Sequence, residues 1–209
     1  MRVLLFGASG GIGSRVRAQA RAAGHELVLF ARDPARLEPL DSGERVVAGD
    51  IAEPSAVAAA VAGVDAVVSA LGPADNTSGQ VTLYESFATA LVEAMEANGV
   101  RRLVAISGAA VTLPGERKAL RGRIASAFVR LLVPHVVRAK QREIEIISAA
   151  DLDWIAPRPP RVIEGGQTDG YRLGDDARAM RVSQGDLAHF MVSALTDDRH
   201  LRQAPFISS

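Results

Sequence analysis

Short apolar runs recur along the chain, separated by stretches whose apolar residues return every three or four positions. The runs are Val3 to Phe6, Glu26 to Phe30, Arg45 to Ala48, Ala66 to Ala70, Leu103 to Ile106 and Trp154 to Ala156. They lean on Val, Leu and Ile, and most lack polar alternation, which predicts strands buried on both faces. Between them, helical spacing covers Ile12 to Ala23, Ser55 to Ala62, Leu83 to Ala97 and Arg138 to Ala149. The third is the clearest: Leu83, Phe87, Leu91 and Met95 fall four apart, and Asn98-Gly99 supplies a stop. Strands alternating with helices predict an α/β fold, a Rossmann-type doubly wound parallel sheet in one domain.

Two segments break the alternation. Residues 71–79 (LGPADNTSG) form a turn-rich loop after the fourth strand, and the segment after Arg158 is rich in proline and glycine. Both follow carboxyl ends of strands, where open α/β sheets place ligands. Together with residues 108–137, the segments 71–79 and 158–181 are expected to shape a substrate site.

The first strand runs straight into Gly7-Ala8-Ser9-Gly10-Gly11-Ile12-Gly13, and a helix follows at once. A diphosphate needs close approach by backbone amides, so side chains must be absent from such a turn. The helix behind it offers unpaired N–H groups and a partial positive charge. The loop therefore predicts dinucleotide binding. Gly7, Gly10 and Gly13 give one spacing and Gly7, Gly11 and Gly13 another, and both cradle the same group.

The second strand ends in Arg32-Asp33-Pro34. Asp33 is placed to hold ribose hydroxyls or to cap the turn that Pro34 opens, and the proline favours the cap. Arg32 is then free to meet a 2′-phosphate, which predicts NADP rather than NAD. Asp50 and Ile51 close the third strand, where the carboxylate can accept from an adenine amino group. Ala70, Leu71 and Gly72 close the fourth, where bare backbone can run beside the cofactor.

Composition narrows the field further. The chain has no cysteine, which removes thiolate chemistry and cysteine-based metal sites, and no metal is expected. Acidic and basic residues balance, 24 to 24, so overall charge draws the protein neither to nucleic acid nor to a membrane. Only four apolar residues lie between Arg2 and Gly7, too few for the apolar core of a signal peptide, and a cytoplasmic location is expected. Locally the balance fails: residues 115–142 hold eight Lys or Arg and one Glu. With Phe128 the only aromatic there, this reads as a solvated cap over the substrate site, whose arginines could attract an anionic substrate.

The order of GASGGIG, ARDPARL, VVAGD, DAVVSALG, GVRRLVAISG, AKQRE, DLDWIAPRPP and QGDLAHFMVSAL resembles the atypical short-chain dehydrogenase/reductases. Within them it is most similar to the NAD(P)H-binding family that includes biliverdin reductase B (flavin reductase) and bacterial NADH-flavin reductases. The resemblance implies that Gly7, Gly10 and Gly13 hold the diphosphate, Arg32 the 2′-phosphate and Asp50 the adenine. It places Ser107 and Lys140 at the nicotinamide ribose and acceptor, and Arg158 near an acidic substrate group. Ordinary members reduce carbonyls with a Tyr-x-x-x-Lys pair. Lys140 stands where that lysine would be, but Val136 stands in the tyrosine's place. The departure fits hydride transfer to a flavin-like acceptor, whose proton can come from solvent. It also fits a non-enzymatic dinucleotide-binding redox sensor.

Overall fold

A computed structural model describes residues 1–113, 115–116, 120–168, 170–174 and 181–209, with the side chains of residues 120 and 121 outside the description. Six parallel strands form the centre: β1 (Arg2–Phe6), β2 (Glu26–Ala31), β3 (Glu44–Ala48), β4 (Ala66–Ser69), β5 (Arg102–Ala105) and β6 (Asp153–Ile155). Their order is β3-β2-β1-β4-β5-β6, so the sheet reverses direction of growth between β1 and β4. That reversal leaves a crevice at the carboxyl ends of the strands.

The strands are apolar on both faces because both faces are covered. Leu4, Phe6, Val28, Phe30, Val67 and Leu103 pack with Val57, Phe87, Leu91 and Ile147 of α2 (Pro54–Val61), α3 (Ser78–Ala97) and α5 (Pro134–Ala149). Their neighbours Val3, Leu5, Leu27, Leu29 and Val68 pack with Val16, Ala20, Leu187 and Met191 of α1 (Gly11–Ala22) and α6 (Gln184–Ser193). Successive residues thus serve opposite cores, as the strand period of two requires.

The remaining elements lie beyond the expected alternation. Helix α4 (Leu120–Leu132) fills part of the basic stretch. Short strands β7 (Val162–Ile163) and β9 (Val182–Ser183) pair in parallel, and β8 (Arg172–Gly174) pairs antiparallel with β10 (Phe206–Ser208). Two boundaries move. Helix α3 begins at Ser78 rather than Leu83, so the loop after β4 is shorter than its turn-rich composition suggests. Helix α5 begins at Pro134 rather than Arg138, because a proline at the first helical position lacks only an N–H that would have no partner there.

Candidate functional site

The glycine loop is held by steric necessity. Gly7 has φ +82°, and a Cβ there would meet the Ala70 carbonyl at 3.1 Å. At Gly13 a Cβ would lie 1.9 Å from the Gly7 carbonyl oxygen, inside any possible contact. A side chain at Gly7 would press on the end of β4, and one at Gly13 would push α1 off the turn after β1. The Gly10 amide donates to the Gly7 carbonyl at 3.0 Å, closing the turn. Gly10 is also the N-cap of α1; no side chain caps it, and the first turn holds no acidic residue. The positive end of the helix is therefore left for an incoming anion.

A cleft of about 440 Å³ opens beside this loop. Gly7 and Ser9 line it from the loop, Arg32 from the end of β2, Asp50 and Ile51 from the end of β3, and Leu71 and Gly72 from the end of β4. Seven expected residues thus converge from four strands. Gly10, Gly11, Ile12, Gly13 and Ala70 are not among the lining residues; the first four build the turn and helix start behind it, and Ala70 follows β4, its amide donating to the Phe6 carbonyl. Asp33 accepts the Ala35 amide at 3.2 Å and caps the short 3-10 helix Pro34–Leu37, and it also lines the cleft. Asp50 accepts the Ala52 amide through Oδ1 at 2.9 Å, which fixes its carboxylate in the cleft wall.

Sequence reasoning passed over Arg36, Gln80, Leu83 and Tyr84, which also line the cleft. Arg36 stands beside Arg32 in the same wall, and both are exposed. Among the described residues neither guanidinium has an ion-pair partner. Arg36 was findable, being one turn on from Arg32 once Asp33 is read as a cap. Tyr84 was not, because its environment comes from another helix.

That environment centres on Lys140. Its ammonium is 6% exposed, donates to the Leu71 carbonyl at 3.1 Å, pairs with Glu143, and lies 5.1 Å from the centre of the Tyr84 ring. Burial pushes the Glu143 carboxyl above the usual range, and the Lys140 ammonium opposes that rise. Burial, and secondarily the Glu143 charge, push the Tyr84 hydroxyl up, so it stays a neutral phenol. Lys140, expected at the nicotinamide ribose and acceptor, holds the Leu71 carbonyl, and so the loop after β4. Asn76 in that loop accepts the His135 and Val136 amides at 2.9 and 3.3 Å, tying it to the start of α5.

Ser107 follows β5, and its amide donates to the Pro157 carbonyl at 2.9 Å. Its hydroxyl is buried with no hydrogen-bond partner, a condition that a bound group could relieve. Arg158 requires correction. It is 4% exposed, its guanidinium pairs with Glu116 at 2.7 Å, donates to the Ala204 carbonyl at 2.6 Å and sits 4.1 Å from the Phe206 ring centre. It anchors the loop after β5 to the last strand instead of meeting a substrate. Of the expected substrate segments, residues 114, 117–119, 169 and 175–180 fall outside the described residues. No group of His, Asp or Glu among the described residues is placed to hold a metal.

The glycine turn, the open helix end and the Asp50 carboxylate fit a dinucleotide. Comparison with known proteins agrees. YwnB of Bacillus subtilis is 24% identical over 178 residues, 84% of this chain and 80% of its own. The oxidoreductase ylbE from Lactococcus lactis superposes with a TM-score of 0.83 at 17% identity, covering 100% of this chain and 91% of that one. ChuY of Escherichia coli, an anaerobillin reductase, gives 0.79 at 20% identity over 99% and 96% of the two chains. These two structures share the fold. The model of a family described as NAD(P)H-binding matches residues 7–198, and the chain belongs to that NAD(P)H-binding family.

Proposed function

We propose that the protein is an NADPH-dependent reductase that delivers hydride to a flavin-like or other small conjugated acceptor. The observation that carries this reading is the pair Arg32 and Arg36, exposed and without acidic partners, in the wall of a cleft that begins at the glycine loop. Guanidinium pairs with phosphate oxygens in charge-assisted, often bidentate, hydrogen bonds. One such contact is worth about 1.5–3 kcal/mol, roughly tenfold to a hundredfold in favour of NADPH over NADH.

A bound NADPH supplies the hydride. The chain's own part is to hold and orient. The amides of the loop and the first turn of α1 take the diphosphate, and Asp50 takes the adenine. Lys140, through the Leu71 carbonyl, fixes the backbone that runs along the cofactor, and the Ser107 hydroxyl is placed for a ribose or acceptor oxygen. With Val136 in the tyrosine's place and the Lys140 ammonium committed to Glu143, there is no built acid for a carbonyl substrate. An acceptor that takes its proton from solvent needs none, and orientation of the two reacting rings is then the main contribution. The likeness to a reductase of anaerobillin supports the same class.

The alternative is a redox sensor that binds dinucleotide without turnover, and the engaged Lys140 is the observation that favours it. Steady-state oxidation of NADPH, then of NADH, with excess FMN separates the two. The reductase reading predicts turnover well above the protein-free rate, faster with NADPH. Folded protein that binds NADPH yet leaves the rate unchanged is the sensor.

A further inference from the structure

Helix α4 inverts the usual arrangement of a surface helix. Of the large apolar side chains that stand exposed among the described residues, Met1 and Leu40 are scattered, while Ile124, Phe128, Val129, Leu131 and Leu132 all belong to this one helix. Phe128 is 62% exposed and Leu131 79%. Ile124, Phe128, Leu131 and Leu132 recur at i, i+4, i+7 and i+8, which places them in one stripe. The helix gives the protein small and polar groups instead. Ser126 is buried, and Arg130 donates to the Ala110 carbonyl and the Thr112 hydroxyl, both at 3.1 Å. A core-facing helix would present the opposite.

Charge indicates what covers this stripe. Helix α4 contains no Asp or Glu. Arg123, beside the stripe, and Arg138, just beyond it on α5, are both exposed, and neither forms an ion pair among the described residues, although the Arg138 charge also acts on Glu85. Residues 115–142 hold eight basic residues against one acidic, although the whole chain is neutral, so the rest of the molecule is net negative. Among the described residues, Arg123 and Arg130 on α4 and Arg138 on α5 are exposed and make no ion pair, so they set positive charge beside the apolar stripe. A second copy of this chain would bring the same positive face against this one. An anionic bilayer satisfies both features: its acyl boundary takes Phe128 and the leucines, and its headgroups take the arginines. We infer that α4 is an interfacial anchor that seats the protein on an anionic lipid surface, with the helix lying in the headgroup plane. At thirteen residues it is about 20 Å long, and no helix among the described residues is long and apolar enough to cross a membrane. The overall neutrality of the chain hides this property; only the local sum and the outward stripe reveal it.

Co-sedimentation of the full chain with vesicles tests it, comparing phosphatidylcholine alone with phosphatidylcholine containing phosphatidylglycerol. The anchor predicts binding to the anionic vesicles at least tenfold tighter than to neutral ones, weakening as salt rises. Phe128→Glu with Leu131→Glu should reduce it by tenfold or more, and Arg123→Glu with Arg138→Glu by a similar factor. These side chains are exposed, so the variants should keep the wild-type melting temperature and NADPH affinity. Equal sedimentation with both vesicle types, or unchanged binding in both double variants, overturns the proposal. So does a wild-type dimer in light scattering that Phe128→Glu with Leu131→Glu converts to a monomer, since the stripe would then belong to a second copy.

Discussion

The two sides of the sheet's switch point are built on different principles. On the side of β1, β2 and β3, the cleft is shaped by backbone: a turn that tolerates no Cβ at Gly13, an uncapped helix start, and carboxylates fixed by neighbouring amides. On the side of β4, β5 and β6, it is shaped by buried charge pairs, Lys140 with Glu143 and Arg158 with Glu116. The first side, which takes the dinucleotide in the proposed function, is specified within a few residues at a time. The second side, which the proposed function gives to the acceptor, is held by Lys140 on the Leu71 carbonyl and Arg158 on Glu116, contacts between residues far apart in sequence.

If that contrast is right, the largest stability effect lies on the acceptor side. Lys140→Met leaves Glu143 buried without its partner and should cost about 3–5 kcal/mol in denaturant unfolding. Adding Glu143→Leu should restore most of it. In the single variant burial alone acts on Glu143 and holds its folded pKa above the unfolded one. The folded state then gains from protonation at low pH and loses that gain as pH rises, so the deficit should be larger at pH 8 than at pH 5. A deficit independent of pH would show that Glu143 is not the group left stranded.

Smaller, and sharper for the comparison, is a pair of glycines. A Cβ at Gly185 in α6 would lie 2.2 Å from the Gln167 amide nitrogen, a clash of the same order as at Gly13. Gly13→Ala and Gly185→Ala should each lower stability by about 1–3 kcal/mol. Only Gly13→Ala should also weaken NADPH in a fluorescence titration. Equal loss of NADPH in both would mean that the loop is not the specific element.

The smallest effect belongs to the cofactor side. The Arg17 guanidinium donates to Glu44 and, with the Asp41 amide and the Arg21 charge, holds its carboxyl below the usual range, against some burial. Its contribution is present above the unfolded pKa and lost as pH falls through the lower folded value. Glu44→Gln should therefore cost about 1 kcal/mol at pH 7 and less at pH 3, read from thermal melts.

The same contrast explains what the sequence reveals. The glycine loop, the Asp33 cap and the six strands are visible because each is specified within a few residues. Helix α4 is hidden because its apolar stripe faces outward, so its pattern lies in a segment whose basic charge reads as a solvated cap. Tyr84 and Lys140 come from α3 and α5, and nothing local in either helix announces that they meet. Arg158, in Pro-Arg-Pro-Pro at a strand's carboxyl end, reads as a ligand group until its burial against Glu116 and Phe206 is seen. Charged residues at strand ends carry the same local signal whether they face a ligand or a partner side chain.

The central claim is that the cleft takes NADPH through the arginines at the end of β2. Parallel equilibrium titrations of NADPH and NADH into the wild-type protein and Arg32→Ala test it most directly. The account predicts NADPH tighter than NADH in the wild type, and a loss of roughly tenfold to a hundredfold for NADPH in the variant with little change for NADH. Equal losses for both dinucleotides, or no preference in the wild type, would contradict it.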